Sequence, residues 1–138
     1  MRIRGLIALP LLIVSAWRAE STLACGACVE DKVAATYDHA VVTKAIAERH
    51  VVVFGEIGGT VDMKLVTSRI ASMGARVRGI DRGTIRVAGS PPAFSFALDP
   101  AAQTPESAVA ELQKRVHIPG ATLTVLRVAP APTRAARN

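Results

Sequence analysis

Tryptophan occurs once in this 138-residue chain, at Trp17, and aromatic residues make up only 4% of it. Beyond residue 24 the rings are Tyr37, Phe54, Phe94 and Phe96. The chain is basic, with 17 Lys+Arg against 11 Asp+Glu and a formal charge of +6. The basic residues are scattered, and base stacking needs more rings than these, so nucleic acid is not an expected partner. The basicity reads as general surface charge with a weak attraction to anionic lipid head groups. Sulfur is scarce too: two cysteines and three methionines, with no Met-rich cluster. Met63 and Met73 therefore read as core or helix-face residues. No Gly-x-Ser-x-Gly, His-Glu-x-x-His, phosphate loop or dinucleotide fingerprint is present, and no enzyme is expected. Gly55-Glu56-Ile57-Gly58-Gly59 has no following lysine and reads as a strand-to-helix turn, with Glu56 either a functional residue or, as is usual for a loop acid, simply solvated.

No apolar run is long enough to span a bilayer, which takes about 20 residues. The N-terminus instead has the layout of an export signal. Arg2 and Arg4 give a charged start, Leu6 to Ala16 is apolar or small apart from the break at Pro10, and Thr22-Leu23-Ala24 offers small residues at −3 and −1. Residues 1–24 are expected to be a signal peptide cut before Cys25, sending the chain to the periplasm or outside the cell. A cut before cysteine also suits a lipoprotein with a lipid on Cys25, although Leu23 stands one place later than a lipidation signal puts its leucine. An uncleaved anchor is a further alternative. Without Arg2, Arg4, Arg18 and Glu20, the remaining 114 residues carry 14 basic and 10 acidic groups, a net +4. That length suits one compact domain.

Beyond the leader, hydrophobic periodicity sets the expected elements. A first helix is expected over Val29–Arg49, where Val29, Val33, Tyr37, Val41 and Ala45 recur at i+4 and Val42 and Ile46 widen the stripe. Val51 to Phe54 reads as a buried strand. Thr60 is the expected N-cap of a helix reaching Met73, with Val61, Leu65, Val66, Ile70 and Met73 inward and Gly74 as its C′ residue. Alternation then predicts strands at Arg76–Ile80 and Thr84–Val87, joined by a turn at Asp81-Arg82-Gly83. After the loop Gly89-Ser90-Pro91-Pro92, another strand is expected at Phe94–Leu98. Thr104-Pro105-Glu106 has the composition of a helix start: a hydroxyl cap, proline at N1 and an acid in the first turn. Val109, Leu112 and Val116 form that helix's buried stripe. Pro119-Gly120 ends it, and Thr122–Val128 is the last strand. Residues 129–138, rich in Pro, Ala and Arg, are expected to be a disordered tail. The order predicts an α+β chain: a ferredoxin-like β-α-β-β-α-β sandwich over residues 51–128, with helices on one face of an antiparallel sheet. An extra N-terminal helix precedes it within residues 25–50.

The run from Val51 to Val128 resembles the heavy-metal-associated domain of metallochaperones and periplasmic mercury-binding proteins. Gly74-Ala75-Arg76-Val77 carries the resemblance, together with Phe96-Ala97-Leu98-Asp99-Pro100 leading into Thr104-Pro105-Glu106. In that family a strand ending Asp-Pro also leads into a Thr/Ser-Pro-Glu helix start. The family's metal loop, Gly-Met-Thr-Cys-x-x-Cys, should follow the first strand, but here Gly55-Glu56-Ile57-Gly58-Gly59-Thr60 stands there without a sulfur. The segment between Val87 and Phe94 reads as an insertion. The resemblance implies the fold and leaves the family's metal site unfilled.

The thiols are Cys25 and Cys28. Cys-x-x-Cys puts two sulfurs on one turn, close enough for a soft ion or a disulfide. Two-coordinate Cu(I) or another soft ion such as Hg(II) suits the pair better than zinc, which takes four ligands. A cut before Cys25 adds an α-amine beside the thiolates. The alternatives are a plain disulfide in an oxidising compartment, a lipidated Cys25, or thiol exchange. Thioredoxin-type catalysis is not expected, because the motif does not open a helix within a β-α-β unit. His39 is the candidate third metal ligand. On one continuous helix, however, it stands roughly 16 Å from Cys28, as His50 does from His39, so only a bend near Cys28 would bring it in. Beside Asp38, His39 also reads as half of a solvated polar pair. His50 and His117 are expected at helix C-termini, facing exposed carbonyls. Two functions stay open: an exported soft-metal-handling protein acting through Cys25 and Cys28, or a noncatalytic interaction or structural domain whose partner is another envelope protein.

Overall fold

The computed structural model describes the backbone of residues 25–129 and the side chains of residues 29–129. The expected leader and the segment from residue 130 onward lie outside the described residues. The elements run α1 (Cys25–Thr36), α2 (His39–Glu48), β1 (Val51–Gly58), α3 (Met63–Gly74), β2 (Arg86–Gly89), β3 (Pro92–Leu98), α4 (Pro105–Val116) and β4 (Thr122–Ala129). The four strands form an antiparallel sheet in the order β2-β3-β1-β4. The fold is therefore mixed α and β. Among the described residues no helix is long and apolar enough to cross a membrane.

Alternation decides what each strand face meets. Val53 and Ile57 of β1, Phe94, Phe96 and Leu98 of β3, and Leu123 of β4 point to one side. There they pack with Val66 and Ile70 of α3 and with Ala108, Val109, Leu112 and Val116 of α4. Phe94 and Phe96 are fully buried and stacked, with ring centroids 6.1 Å apart. Burying each ring contributes about 1.5–3 kcal/mol. The opposite face carries Val52 and Phe54 of β1 and Ala97 of β3, packed with Val41 and Ala45 of α2. Helices thus cover both faces, where coverage of one was expected. The small side chains Ala93, Ser95 and Ala97 are all buried, and they give the N-terminal helices room to lie close to β3.

The expected helix Val29–Arg49 is two helices. Asp38 interrupts it in extended conformation and caps α2, accepting from the amides of Ala40 (2.8 Å) and Val41 (3.3 Å). An aspartate side chain competes with the helical backbone for these amides, and that favours a start over an interior position. The i+4 stripe runs through this break, so Val41 and Ala45 are buried while Tyr37 and Ile46 are exposed. The helix after β1 starts at the Asp62 cap, not at Thr60. Leu65 lies outward on it, while Val66 and Ile70 point inward. Gly74 is the buried last residue of α3, not a left-handed C′ residue. A Cβ there would come within 2.4 Å of Ile85 Cδ1.

Arg76–Ile80 is a series of turns, not a strand. Val77 and Ile80, three apart, are both buried, and Ile80 makes a single bridge to Leu98. Asp81-Arg82-Gly83 is a turn, but it joins no two strands. The hairpin is at Ser90-Pro91, between Gly89 and its partner Pro92, so the apparent insertion is the turn of β2 and β3. The helix Pro105–Val116 and the final strand lie where expected, the strand also taking in Ala129.

Candidate functional site

The cysteine turn opens α1. The helix begins at Cys25, four residues before the expected start, so Cys25 and Cys28 occupy its first turn; their side chains are outside the described residues. Contacts further along α1 give its direction. The Ser95 hydroxyl donates to the Thr36 carbonyl at 2.9 Å, and Ser95 stands opposite Phe54. One turn earlier, Lys32 pairs with Glu56. Helix α1 therefore runs antiparallel to β1. At 1.5 Å per residue, Cys28 and Cys25 lie roughly 6 and 10 Å beyond Lys32 along the axis. That is the end of the sheet where β1 gives way to α3 and where the Ser90-Pro91 turn projects. An open groove of about 460 Å³ between Asp31, Lys32 and Ala34 of α1 and Ser90 and Pro91 marks the same end. Glu56, expected in a loop, is a strand residue half-buried against Lys32.

His39 is the exposed first residue of α2. From Cys28 to Thr36 the helix alone spans about 12 Å, and the turn at Tyr37-Asp38 follows. The structure does not bring His39 to the cysteine turn. His117 is the exposed C-cap of α4, in left-handed conformation.

His50 follows the left-handed C-cap Arg49 of α2 and belongs to a different cluster. Its Nδ1 lies 2.7 Å from Asp81 Oδ2 and 3.4 Å from Glu48 Oε2. Among the described residues, Glu48, His50 and Asp81 offer three metal-type donor atoms within 4.8 Å of one another. Lys44 Nζ already binds both carboxylates, at 2.6 Å from Glu48 and 3.4 Å from Asp81. The hydrogen bond to Glu48 holds the lysine above its usual pKa, with Asp81 adding to the effect, so the ammonium stays charged. The carboxylates thus have an internal cation, and the four groups tie the end of α2 to the segment before β2. Sequence gave no sign of this cluster, because Asp81 and His50 are 31 residues apart.

Arginines hold three carboxylates elsewhere below their usual range: Glu30, Asp38 and, within α4, Glu111 beside Arg115. The hydrogen bond from Arg127 pulls Glu30 below the usual carboxylate range, and Glu30 in turn raises Arg127. The bond from Arg86 (2.8 Å), then the Val41 amide, does the same to Asp38. Comparisons of this chain with protein-family models, with curated proteins and with solved structures found no match.

Proposed function

We propose that the chain is an exported soft-metal-handling protein that binds Cu(I), or another ion preferring two sulfurs, through the thiolates of Cys25 and Cys28. Opening a helix suits this chemistry. The exposed amides and the dipole of a first helical turn favour thiolate over thiol, and the thiolate is the metal ligand. Residues three apart in a helix lie on one face, so two sulfurs can meet one ion. His39 has no part in this site. The reading carries with it a ferredoxin-like interpretation of residues 51–128. In support, β1-α3-β2 straddles β3, and β3-α4-β4 straddles β1, as split β-α-β units do. The single observation that carries the function is the direction of α1. It runs back along β1, so its first turn projects at the β1–α3 end, where the heavy-metal-associated domains that this chain resembles hold their metal loop.

The test is a Cu(I) titration of the reduced, leaderless protein against a competing chelator, beside a Cys25→Ser/Cys28→Ser variant. Tight 1:1 binding lost in the variant is expected; equal, weak binding by both would end the reading. Mass spectrometry of the exported form should find Cys25 first, with free thiols and no lipid.

One observation favours a second reading, an envelope interaction domain with a Cys25–Cys28 disulfide or a lipidated Cys25. Strand β4 is an eight-residue edge of the sheet, and such an edge accepts an added strand from another protein. An oxidised or acylated Cys25 in the exported protein would select it.

A further inference from the structure

The ion pairs of the described residues divide sharply. Glu30–Arg127, Lys32–Glu56, Asp38–Arg86, Lys44–Asp81 and His50–Asp81 all join the segment 30–50 to the rest of the fold. The others, Lys44–Glu48, Glu48–His50 and Glu111–Arg115, are local. These pairs all bind the N-terminal layer to the sheet, and its two helices are attached differently. Helix α2 buries Val41 and Ala45 against Val52, Phe54 and Ala97. From Val29 onward, α1 buries one side chain, the polar Thr36; Val33 is half-buried, and Ala34 and Ala35 are exposed. Among the described residues, Glu30 to Arg127, Lys32 to Glu56 and the Ser95 bond to the Thr36 carbonyl tie it to the sheet by polar contacts, and Val33 packs against the cluster of Val52, Phe54 and Ala97.

The joint between the helices is also built to part. Tyr37 is 54% exposed. Asp38 caps α2 from its own side chain and is anchored by Arg86, so α2 needs nothing from α1 to keep its first turn.

We propose that α1 is a charge-held arm that pivots at Tyr37-Asp38 and swings off the sheet as a unit while α2 stays docked. Docked, the arm places its first turn at the β1–α3 end of the sheet. Released, it carries both cysteines clear of the sheet, where the thiols of an acceptor can reach a bound ion from any side. That cargo rests on the metal reading above, but the motion does not.

Hydrogen exchange on the full reduced protein tests it. In a Glu56→Gln/Arg127→Gln variant, exchange of the amides in 29–36 should speed up at least tenfold, while 40–48 and 92–98 keep their wild-type rates. The exchanged pair Lys32→Glu/Glu56→Lys should restore slow exchange in 29–36 when Arg127 is intact. Unchanged rates in α1, or α1 and α2 loosening together, would overturn the arm. Failure of Cu(I) binding with release intact would remove the cargo and leave the arm standing.

Discussion

Phe94 decides what stands at position 55. The two residues are cross-strand partners in β3 and β1, and the ring lies across the neighbouring backbone. A Cβ on Gly55 would sit 2.2 Å from Phe94 Cζ and within 2.8 Å of two further ring carbons. The ring is fully buried and stacked on Phe96, so it has no room to retreat. Gly55→Ala should destabilise the protein by about 1–3 kcal/mol, the usual cost of overpacking. The denaturant midpoint measures it, and an unchanged midpoint would show that the ring gives way. The sequence expectation puts Gly55 in a strand-to-helix turn after Phe54, but it lies within β1. That reading treats glycine as a residue of backbone freedom, whereas here it is a residue of space. Gly74 was misread for the same reason: its neighbours Ile85 and Leu112 are distant in sequence, so no local pattern reveals them.

Elements were legible where their ends carry their own chemistry. The Thr104 hydroxyl accepts from the Ser107 amide at 3.2 Å, Pro105 opens α4, Glu106 lies in its first turn and Lys114 and Arg115 in its last. Every one of these signals lies within the helix and its cap. The single expected helix failed at Asp38 because its i+4 stripe continues through the break, although aspartate is a poor interior residue and a good cap. Turns at 76–80 passed for a strand because Arg76-Val77-Arg78 alternates, while burial of Val77 and Ile80 depends on the core they meet. Asp38 gives the start of α2 a pH dependence. Arg86, and then the Val41 amide, hold its carboxyl below the ordinary 3.8. A carboxyl depressed in the folded state stabilises fully above its unfolded pKa, and that contribution is lost as pH falls through the folded value. Stability should therefore decline below pH 3.8, and an Asp38→Asn variant should show a flatter profile in that window. Parallel acid profiles for the two proteins would mean that the arginine pair adds nothing.

At the scale of the whole molecule, coverage of both sheet faces follows from what β1 and β3 are made of. Val51-Val52-Val53-Phe54 is apolar on consecutive residues, hence on both faces, and β3 is buried from Ala93 to Leu98. Such runs belong to sheets packed on two sides. The run was readable as a buried strand, but which segment covers its second face was not, because the ties from 30–50 reach residues between 56 and 127. The Cys-x-x-Cys motif was plain from spacing alone; its position at the β1–α3 end needed the direction of α1. The unequal attachment of the two helices predicts unequal consequences of losing them. A chain beginning at residue 37 gives up Thr36, the half-buried Val33 and the ties of Glu30 and Lys32, and should be a folded monomer. A chain without 25–50 also loses Val41 and Ala45, which uncovers Val52, Phe54 and Ala97. Re-exposing Val52 and Phe54 costs about 1.5–3 kcal/mol each, and an apolar sheet face open to water recruits another copy. Size-exclusion chromatography with light scattering should find the shorter deletion monomeric and the longer one self-associating. If both associate, α1 is as much a part of the cover as α2; if neither does, the second face needs no cover at all.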